Sequence, residues 1–552
     1  MTKDPLAPHH SRARGGSLRG GRPAGGLTVE IMRLRRGLLA ASTGLLLAVT
    51  GCASFTESAG QDPSSSSGAS SAAAEPEAAP ITWTDCDAEV TELLAGTPGS
   101  ERDLFFECGR TQVPIDHDEP DGDTLPLFLL RAQLAGQTDR IGSLLVNPGG
   151  PGGSGADAAL GLALSMPEDV LRRFDLVGFD PRGVGLSTAV ECIPGELKDR
   201  QIAAEPRPTT QEQLDEVLAL TDEAAEGCAE EYGDALGTFN TVDTARDMDL
   251  LRESLGDEQL TYLGYSYGTT LGSTYAELFP ENVRALVLDA AVDPDADQRA
   301  DAEATAAGLE AGFDAYATNC TGLVSGCPLG PEPRRFLDDL LTQAAGTPVP
   351  SSRAGETRTA TPGVVMTAVL SAMYDPGSWP QLSQSLAAAR NGDAAGLFSL
   401  ADSYSGRLED GTYTNLFDAN TAINCADTPE DESYSEEEVL QLAQDWSTRY
   451  PLFGAGSAAS LYTCTAWEAP RTPLPERDAE GSAPIVVVGN TGDPVTPLPG
   501  AEDMAADLTA GVLVVWQGQG HTAYPKTDCV TAAVNAYLID LTAPQDGLQC
   551  PA

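Results

Sequence analysis

A serine between two glycines is the first place in this sequence where residue types and spacing could do chemistry. Residues 264–268 read Gly-Tyr-Ser-Tyr-Gly, after an apolar run at 260–263 and before a small-residue run at 269–279. Strand, sharp turn and helix in this order are the context of a nucleophile elbow. The turn strains the serine backbone, and side chains in place of the glycines would strike neighbouring elements. The pattern predicts Ser266 as a nucleophile, with the amide of Tyr267 aimed at the same point.

A serine hydroxyl needs a general base, and the chain has only four histidines: His9, His10, His117 and His521. The first two lie in an N-terminal segment that we expect to be removed. His117 stands where an early strand-like run enters a turn, and we interpret it as structural. His521 follows the apolar run 512–516 and a glycine-rich loop, which is where a catalytic histidine is expected late in such a chain.

The acid that orients this histidine should follow a strand located between the nucleophile and the base. The run 484–489 is continuously apolar, as in a parallel strand covered on both faces, and Asp493 comes shortly after it. Asp493 is therefore the predicted partner of His521. Asp503 and Asp507 are alternatives, but they fall in the next helical stretch and are interpreted as its solvated face.

Backbone donors are expected from a glycine-rich loop. The strand 143–146 is followed by Asn-Pro-Gly-Gly-Pro-Gly-Gly-Ser-Gly at 147–155. Glycines let a backbone approach a ligand closely, and the prolines have no amide hydrogen. The amide of Gly149, Gly150 or Gly152 should therefore bind an oxyanion, with Gly150 the first choice. A phosphate-binding loop is the alternative, but its Lys-Ser/Thr ending is missing.

A further strand at 174–179 runs into a loop of Asp-Pro-Arg-Gly-Val-Gly-Leu-Ser. Charged side chains directly behind a strand end can support neighbouring loops. We expect Asp180 and Arg182 to brace the site from behind rather than to touch a substrate.

Taken together, these segments resemble the tripeptidyl-aminopeptidase and proline-iminopeptidase branch of the α/β-hydrolases, in particular its exported actinobacterial members. The segments are Asn-Pro-Gly-Gly-Pro-Gly at 147–152, Asp-Pro-Arg-Gly-x-Gly-x-Ser at 180–187, Gly-Tyr-Ser-Tyr-Gly-Thr at 264–269, and the block from Asp493 to His521. The resemblance spans about residues 83 to 550 and is weakest between 293 and 477. It implies an α/β-hydrolase fold, with a mostly parallel central sheet, helices on both faces and an inserted helical cap.

The resemblance also implies a domain organisation. Residues 81–292 and 478–552 would form the two parts of the hydrolase core, and the Ala-rich helical segments of 293–477 the cap. An exopeptidase needs desolvated carboxylates to bind the ammonium terminus of its substrate. Asp427, in a segment that resembles one of the family, and Glu468 are candidates, with a solvated surface position as the alternative for each.

The first 52 residues are interpreted as an export signal and kept out of the fold. We expect translation to start at Met32, which basic residues follow. They precede an apolar run at 37–49 that is shorter than a membrane-spanning helix requires. Val-Thr-Gly-Cys then resembles a lipoprotein box, with Cys52 lipidated and the protein held at the outer face of the cell membrane. An ordinary signal peptide with a chance cysteine is the alternative. Residues 53–80 have the composition of a disordered tether.

Ten cysteines remain after Cys52, and an even number in an exported chain implies disulfide bonds. Connectivity is not fixed by sequence, but neighbouring cysteines flank plausible loops. This predicts the pairs Cys86–Cys108, Cys192–Cys228, Cys320–Cys327, Cys425–Cys464 and Cys529–Cys550. The sequence has no Cys-x-x-Cys motif or histidine cluster, and two mature histidines argue against a zinc hydrolase, so no metal or cofactor is expected.

The formal net charge of −50 excludes a nucleic-acid binder, because phosphate would be repelled. We interpret the acidity as a solubility adaptation of an exported protein, and we expect a monomer.

Three functions remain. The first is a membrane-anchored serine exopeptidase that hydrolyses peptides from the N-terminus through an acyl-enzyme. The second is a carboxylic-ester hydrolase acting on cell-envelope lipids or small esters. The third, a peptide-binding lipoprotein on an inactive hydrolase fold, is disfavoured by the complete triad.

Overall fold

The computed structural model describes residues 76–294 and 296–552. The predicted signal segment, with Met32 and Cys52, and most of the predicted tether lie outside the described residues. The described part of the chain contains ten strands in one sheet: β1 (Thr82–Asp85), β2 (Leu104–Pro114), β3 (Thr124–Leu134), β4 (Gly142–Asn147), β5 (Phe174–Asp180), β6 (Leu260–Tyr265), β7 (Val283–Asp289), β8 (Ile485–Gly492), β9 (Gly511–Gln519) and β10 (Leu548–Cys550).

The helices of the described residues fall into two groups by position in the chain. The first group precedes or follows the sheet strands directly: α1 (Asp87–Leu94), α2 (Gly155–Ser165), α3 (Glu168–Leu171), α4 (Gly195–Ala203), α5 (Gln211–Tyr232), α6 (Thr241–Leu255) and α7 (Tyr267–Leu278). A long helical insertion and two late helices follow: α8 (Gln298–Gly322), α9 (Pro333–Gly346), α10 (Pro362–Met373), α11 (Trp379–Arg390), α12 (Ala395–Ser405), α13 (Leu416–Asp427), α14 (Glu436–Arg449), α15 (Gly454–Ser460), α16 (Leu498–Asp507) and α17 (Asp528–Asp540).

The strand order is β1-β2-β3-β5-β4-β6-β7-β8-β9-β10. The pairs from β1 to β5 along this order are antiparallel, and all later pairs are parallel. In the parallel part, β6 lies between β4 and β7, with Asn147 opposite Gly264 and Tyr265 opposite Asp289. Because the carboxyl ends of parallel strands share one edge, the loops after these strands emerge side by side. The α/β-hydrolase architecture expected from the sequence is confirmed.

The central strands are buried on both faces, which explains their continuous apolar sequences. Neighbouring residues of β6 point to opposite layers, as the pleat of a strand requires. Tyr262 packs in one hydrophobic core with residues of α6, α7 and α16, and Leu263 in another with residues of α2 and α17. Helices therefore cover both faces of the sheet and hold the strand ends in fixed positions.

The insertion between β7 and β8 is helical and has a hydrophobic core of its own, which includes Phe313, Val365 and Phe398. The sequence did not predict that α5 also belongs to this region. Leu214 and Leu218, one helical turn apart on α5, pack in one cluster with Val439 of α14 and Ala459 of α15. This apolar stripe faces the insertion rather than the sheet.

The ten described cysteines form five disulfide bonds, in the pairings predicted from the sequence. One of them, Cys192–Cys228, joins the loop before α4 to α5, and Cys425–Cys464 joins α13 to the segment after α15. Among the residues that the structure describes, no helix combines the length and the apolar character needed to cross a membrane.

Candidate active site

Ser266 occupies a sharp turn between β6 and α7. Its backbone has φ 54° and ψ −127°, a conformation that is strained for any residue other than glycine. The flanking glycines are required by space: a Cβ on Gly264 would lie 2.6 Å from a ring carbon of Tyr262, and one on Gly268 would lie 2.9 Å from the carbonyl oxygen of Asn147. The Ser266 amide donates a 3.0 Å hydrogen bond to the carbonyl of Asp289, which fixes the turn against β7.

His521 and Asp493 form a buried pair. The Nδ1 atom of His521 lies 3.0 Å from Oδ1 and 2.9 Å from Oδ2 of Asp493. Asp493 Oδ1 also accepts hydrogen bonds from the amides of Val495 and Thr496, at 2.9 and 3.0 Å. The Thr496 hydroxyl donates to Oδ2 at 3.2 Å. A carboxylate fixed at this position accepts the Nδ1 proton of the histidine and leaves Nε2 as a base.

The two remaining functional atoms have no partner. Ser266 Oγ and His521 Nε2 are both buried, and within the described ranges neither forms a hydrogen bond. The hydrogen bond that general-base catalysis requires between them is therefore not formed in this structure, and such bonds commonly tighten only when substrate binds. These are the two atoms that a serine nucleophile and its general base would use on a substrate.

The helical insertion contributes directly to the position of the histidine. Tyr374, which follows α10, accepts a 2.9 Å hydrogen bond from the His521 amide at its carbonyl oxygen. The two rings also pack edge to face, with centroids 5.4 Å apart. On the other side, Lys526 Nζ donates to the His521 carbonyl at 2.6 Å. Sequence reasoning missed Tyr374, because nothing in its local pattern indicates a contact with a residue so far along the chain.

Asp289, at the end of β7, connects the serine turn with the histidine loop. Its carbonyl holds the Ser266 amide, and its carboxylate accepts hydrogen bonds from the amides of Ala523 (3.1 and 3.0 Å) and Tyr524 (2.7 Å). Burial raises the pKa of Asp289 to about 6, against the lowering effect of these amides. The sequence signal for this role is an aspartate that ends an apolar strand directly after the elbow helix.

The glycine loop after β4 lies against the elbow. Gly149 has φ 90°, and a Cβ there would lie 2.9 Å from Ser266 Cβ and 3.0 Å from the Tyr267 amide nitrogen. The Gly149 amide already donates to Asn147 Oδ1 at 2.9 Å, so it is engaged within the loop. The amide of Gly150, the first choice from sequence, carries no such bond among the described residues, and Gly150 borders the cavity described below.

Asp180 braces this loop, as expected. Its Oδ1 accepts hydrogen bonds from the Ser154 hydroxyl (2.6 Å) and the Ala156 amide (3.1 Å), and its Oδ2 from the Leu186 amide (2.7 Å).

The expectation that Arg182 braces the site is corrected by the structure. Arg182 is fully buried and binds Asp247, at 2.8 and 2.7 Å, and the carbonyl of Pro114. His117 joins the same network, with Nε2 2.8 Å from Asp247 Oδ1. The guanidinium thus ties β2 to α6, where several backbone carbonyls converge, and His117 has the structural position expected for it.

A cavity of about 1260 Å³ lies between the sheet edge and the helical insertion. His521 and Gly150 border it from the core, and Tyr374 and Asn415 from the insertion. Among residues 76–294 and 296–552, no cluster of three His, Cys, Asp or Glu side chains could hold a metal ion.

The structure brings neither candidate for the substrate amine to this cavity. Asp427 is buried and accepts hydrogen bonds from the Thr241 amide (2.9 Å) and hydroxyl (2.6 Å), and the Thr241 hydroxyl also contacts the Tyr267 hydroxyl. Burial raises the pKa of Asp427 to about 7. Asp427 thus fastens α13 to the start of α6. Glu468 is exposed and borders a separate, smaller cleft.

Fold and site together define a serine hydrolase. Residues 142–526 match the family described as alpha/beta hydrolase fold, and the chain belongs to that family. It is 35% identical over 485 residues to serine protease Hip1 of Mycobacterium tuberculosis, covering 85% of this chain and 91% of that protein.

Two other relatives carry different activities in their names. The chain is 36% identical over 463 residues to carboxylesterase B of Mycobacterium tuberculosis, covering 80% of this chain and 86% of that protein. It is 29% identical over 494 residues to tripeptidyl aminopeptidase of Streptomyces coelicolor, covering 86% of each chain. The resemblance inferred from the motifs is confirmed by these relatives.

Proposed function

We propose that the protein is an exported, membrane-anchored serine exopeptidase that releases short pieces from the N-termini of peptides. The observation that carries the proposal is the buried His521–Asp493 pair, with Nδ1 2.9 Å from Oδ2, at the same sheet edge as the strained Ser266 turn. The names of two relatives, a serine protease and a tripeptidyl aminopeptidase, support peptides as substrates.

In the proposed mechanism, Ser266 Oγ attacks the carbonyl carbon of the scissile bond while His521 Nε2 accepts its proton. Asp493 stabilises the imidazolium that forms and keeps Nδ1 protonated. The carbonyl oxygen gains negative charge, and the amides of Tyr267 and Gly150 donate to it. The imidazolium then protonates the leaving amine, and the acyl-enzyme on Ser266 remains.

Hydrolysis of the acyl-enzyme repeats these steps with water as the nucleophile. His521 removes a proton from the water, and the second tetrahedral intermediate collapses to release the peptide acid and restore the Ser266 hydroxyl. No cofactor takes part in this mechanism. The helical insertion borders the cavity through Tyr374 and Asn415, and in this proposal it supplies the preference for chain ends.

A carboxylic-ester hydrolase acting on cell-envelope lipids or small esters is the second candidate. The relative named carboxylesterase B favours it. The same triad and oxyanion donors would serve, because ester and amide hydrolysis pass through the same kind of acyl-enzyme. The two functions differ in what the cavity recognises: a peptide N-terminus carries a positive charge that a neutral ester lacks.

The test is a substrate panel with the purified protein. Tripeptidyl 4-nitroanilides with a free N-terminus, the same peptides N-acetylated, and short-chain 4-nitrophenyl esters are compared by kcat/KM, with Ser266→Ala as the background control. We expect free peptides to be preferred over acetylated ones. Equal cleavage of free and acetylated peptides would refute the exopeptidase proposal, and cleavage of esters alone would establish the second candidate.

A further inference from the structure

The walls of the cavity are strongly acidic. Of the described residues that border it, eight are Asp or Glu and two are Lys. Both lysines are engaged: Lys198 pairs with Asp418, and Lys526 binds the carbonyl of His521. A cavity with this balance favours a positively charged ligand group.

Three of the acids that border the cavity are already paired or hydrogen-bonded within the protein. Asp418 pairs with Lys198 and accepts two backbone amides, and Asp199 pairs with Arg407 and Arg358. Asp180 is occupied by the glycine loop, as described above.

Four further acids on the cavity wall are either exposed to solvent or hydrogen-bonded to the backbone. Glu191, Glu196 and Asp410 are exposed to solvent, and Asp375 accepts a 2.9 Å hydrogen bond from the Gly377 amide. Exposed carboxylates in water gain little from an ion pair, so these residues discriminate poorly between charged and neutral ligands.

Asp157 is different. It lies in the first turn of α2, directly after the glycine loop, and its Oδ1 is shielded from solvent without a hydrogen-bond partner in the described part of the chain. The Ser154 hydroxyl accepts a hydrogen bond from the Asp157 amide at 3.1 Å, but the Asp157 side chain makes no return bond to the Ser154 amide. Among the described cavity residues, Asp157 is the one carboxylate with a buried, unpaired oxygen.

The electrostatics of Asp157 fit a site that awaits a cation. Burial, and secondarily the nearby charge of Asp180, raises the pKa of Asp157 to about 8. Near neutral pH most of the unliganded protein therefore carries Asp157 in its protonated, neutral form, and a cation placed beside the group favours the ionised form and lowers its pKa.

We propose that Asp157 binds the α-ammonium group of the peptide substrate and so selects free N-termini. This inference rests on the proposed exopeptidase function and replaces Asp427 and Glu468 in that role. Because α2 starts at the loop that contains Gly150, the amine-binding group and the oxyanion donor are carried by one continuous segment. The distance between them along the cavity would then set the length of the piece released.

The experiment compares Asp157→Asn with the unmutated protein on alanine-based aminoacyl, dipeptidyl and tripeptidyl 4-nitroanilides, each free and N-acetylated. We expect the variant to lose at least about 30-fold in kcat/KM on the free substrate of preferred length, mainly through KM, as for one partner of a buried charge pair. Acetylated substrates should change by less than about threefold. Glu191→Gln, on the same cavity wall but exposed, is the matched control and should keep the free-amine preference.

The outcomes separate the two proposals. If the unmutated protein prefers free amines and Asp157→Asn keeps that preference, the Asp157 inference is wrong and the exopeptidase proposal stands. If the unmutated protein does not discriminate, the exopeptidase proposal itself fails. An equal loss on free and acetylated substrates would indicate a purely structural role and would also refute the inference. Asp157→Ser replaces the Asn variant if that variant does not fold, with the same expected loss of preference.

Discussion

At the scale of single residues, Asp289 is the point where the serine turn and the histidine loop are joined. The backbone carbonyl of Asp289 accepts a hydrogen bond from the Ser266 amide. Its carboxylate accepts hydrogen bonds from the amides of Ala523 and Tyr524, just after His521. A carboxylate that receives two amides of one loop fixes that loop more tightly than a single contact would. The relative position of nucleophile and base therefore depends on a residue outside the triad.

The titration of Asp289 gives a pH dependence of stability. Its folded-state pKa of about 6 lies above the ordinary aspartate value of 3.8, so between these values the native state keeps a proton that the unfolded chain releases. The stabilisation is fully present below about pH 4 and is lost as pH rises through about 6, by roughly 3 kcal/mol in all. Asp289→Asn lacks this titration, and its free energy of unfolding should fall less steeply over the same range.

Urea unfolding at several pH values between about 4.5 and 7 measures the two slopes. The Asn variant should be less stable throughout, because its NH2 group cannot accept the backbone amides that both carboxyl oxygens of Asp289 accept, but the difference between the proteins should shrink as pH rises. Glu502→Gln, an exposed substitution on α16, should give a curve parallel to that of the unmutated protein. Parallel curves for Asp289→Asn as well would contradict the account.

The catalytic residues that could be predicted from the sequence share one property, their position directly after an apolar strand. Ser266, Asp493 and His521 each follow an apolar strand, and parallel strands bring their carboxyl ends together, so the pattern alone could group them. Thr496 and Tyr374 have no such marker. Thr496 reaches Asp493 through a local turn, and Tyr374 reaches His521 from the helical insertion, which only the tertiary packing reveals.

The candidates for binding the substrate amine also depend on tertiary packing that the sequence pattern does not indicate. The likeness of its segment to one in the family predicted that Asp427 binds the substrate amine. Its carboxylate instead accepts hydrogen bonds from the backbone and side chain of Thr241 on another helix. Charge and local pattern indicate that a carboxylate is present. They do not indicate which side of a helix faces the cavity.

At the scale of elements, the glycine loop after β4 is held in place by contact with the elbow. The loop carries glycines because the backbone of Gly149 passes directly over Ser266 Cβ and the Tyr267 amide. The positive φ of 90° at this position disfavours any side chain, whatever the space. The geometry of the proposed oxyanion donors thus depends on a position that has no room for a methyl group.

Gly149→Ala should therefore reduce kcat by about a hundredfold or more, by displacing the loop from the elbow. The matched control is Gly322→Ala at the end of helix α8, where a Cβ meets nothing within 4 Å. That substitution should raise the free energy of unfolding by up to about 1 kcal/mol and leave kcat unchanged. Measurement of kcat and thermal unfolding for both variants checks the prediction. Full activity in Gly149→Ala would show that the loop is not part of the site.

The mostly parallel central strands and the helical insertion after β7 could be expected from the apolar runs and the family resemblance. The attachment of α5 to the insertion could not. Leu214 and Leu218 give α5 an apolar stripe, but the stripe does not identify the surface that it covers. The role of Arg182 was misjudged for the same reason, since its partners lie on β2 and α6.

At the scale of the whole molecule, the arrangement is that of a hydrolase core with a helical cover, stabilised by five disulfide bonds. A formal net charge of −50 favours solubility, because like charges on separate molecules repel each other. Disulfide bonds in this number fit the proposed location outside the cytosol.

The proposed membrane anchor is tested by Cys52→Ser. The substitution removes the thiol that a lipid would modify, so the protein should move from the membrane fraction to the medium or remain unprocessed. Fractionation of the producing cells, followed by immunoblotting, measures the distribution. The kcat/KM of the released protein should equal that of the anchored form. An unchanged membrane fraction would mean that Cys52 is not the anchor.

The central claim is that Ser266 is the nucleophile of an acyl-enzyme mechanism. The most direct measurement is covalent labelling with a fluorophosphonate, followed by peptide mapping with mass spectrometry. The account predicts one label per molecule, on Ser266, with activity lost in proportion to labelling and labelling strongly slowed in His521→Ala. A label on another residue, or an unlabelled Ser266 in fully inactivated protein, would contradict it.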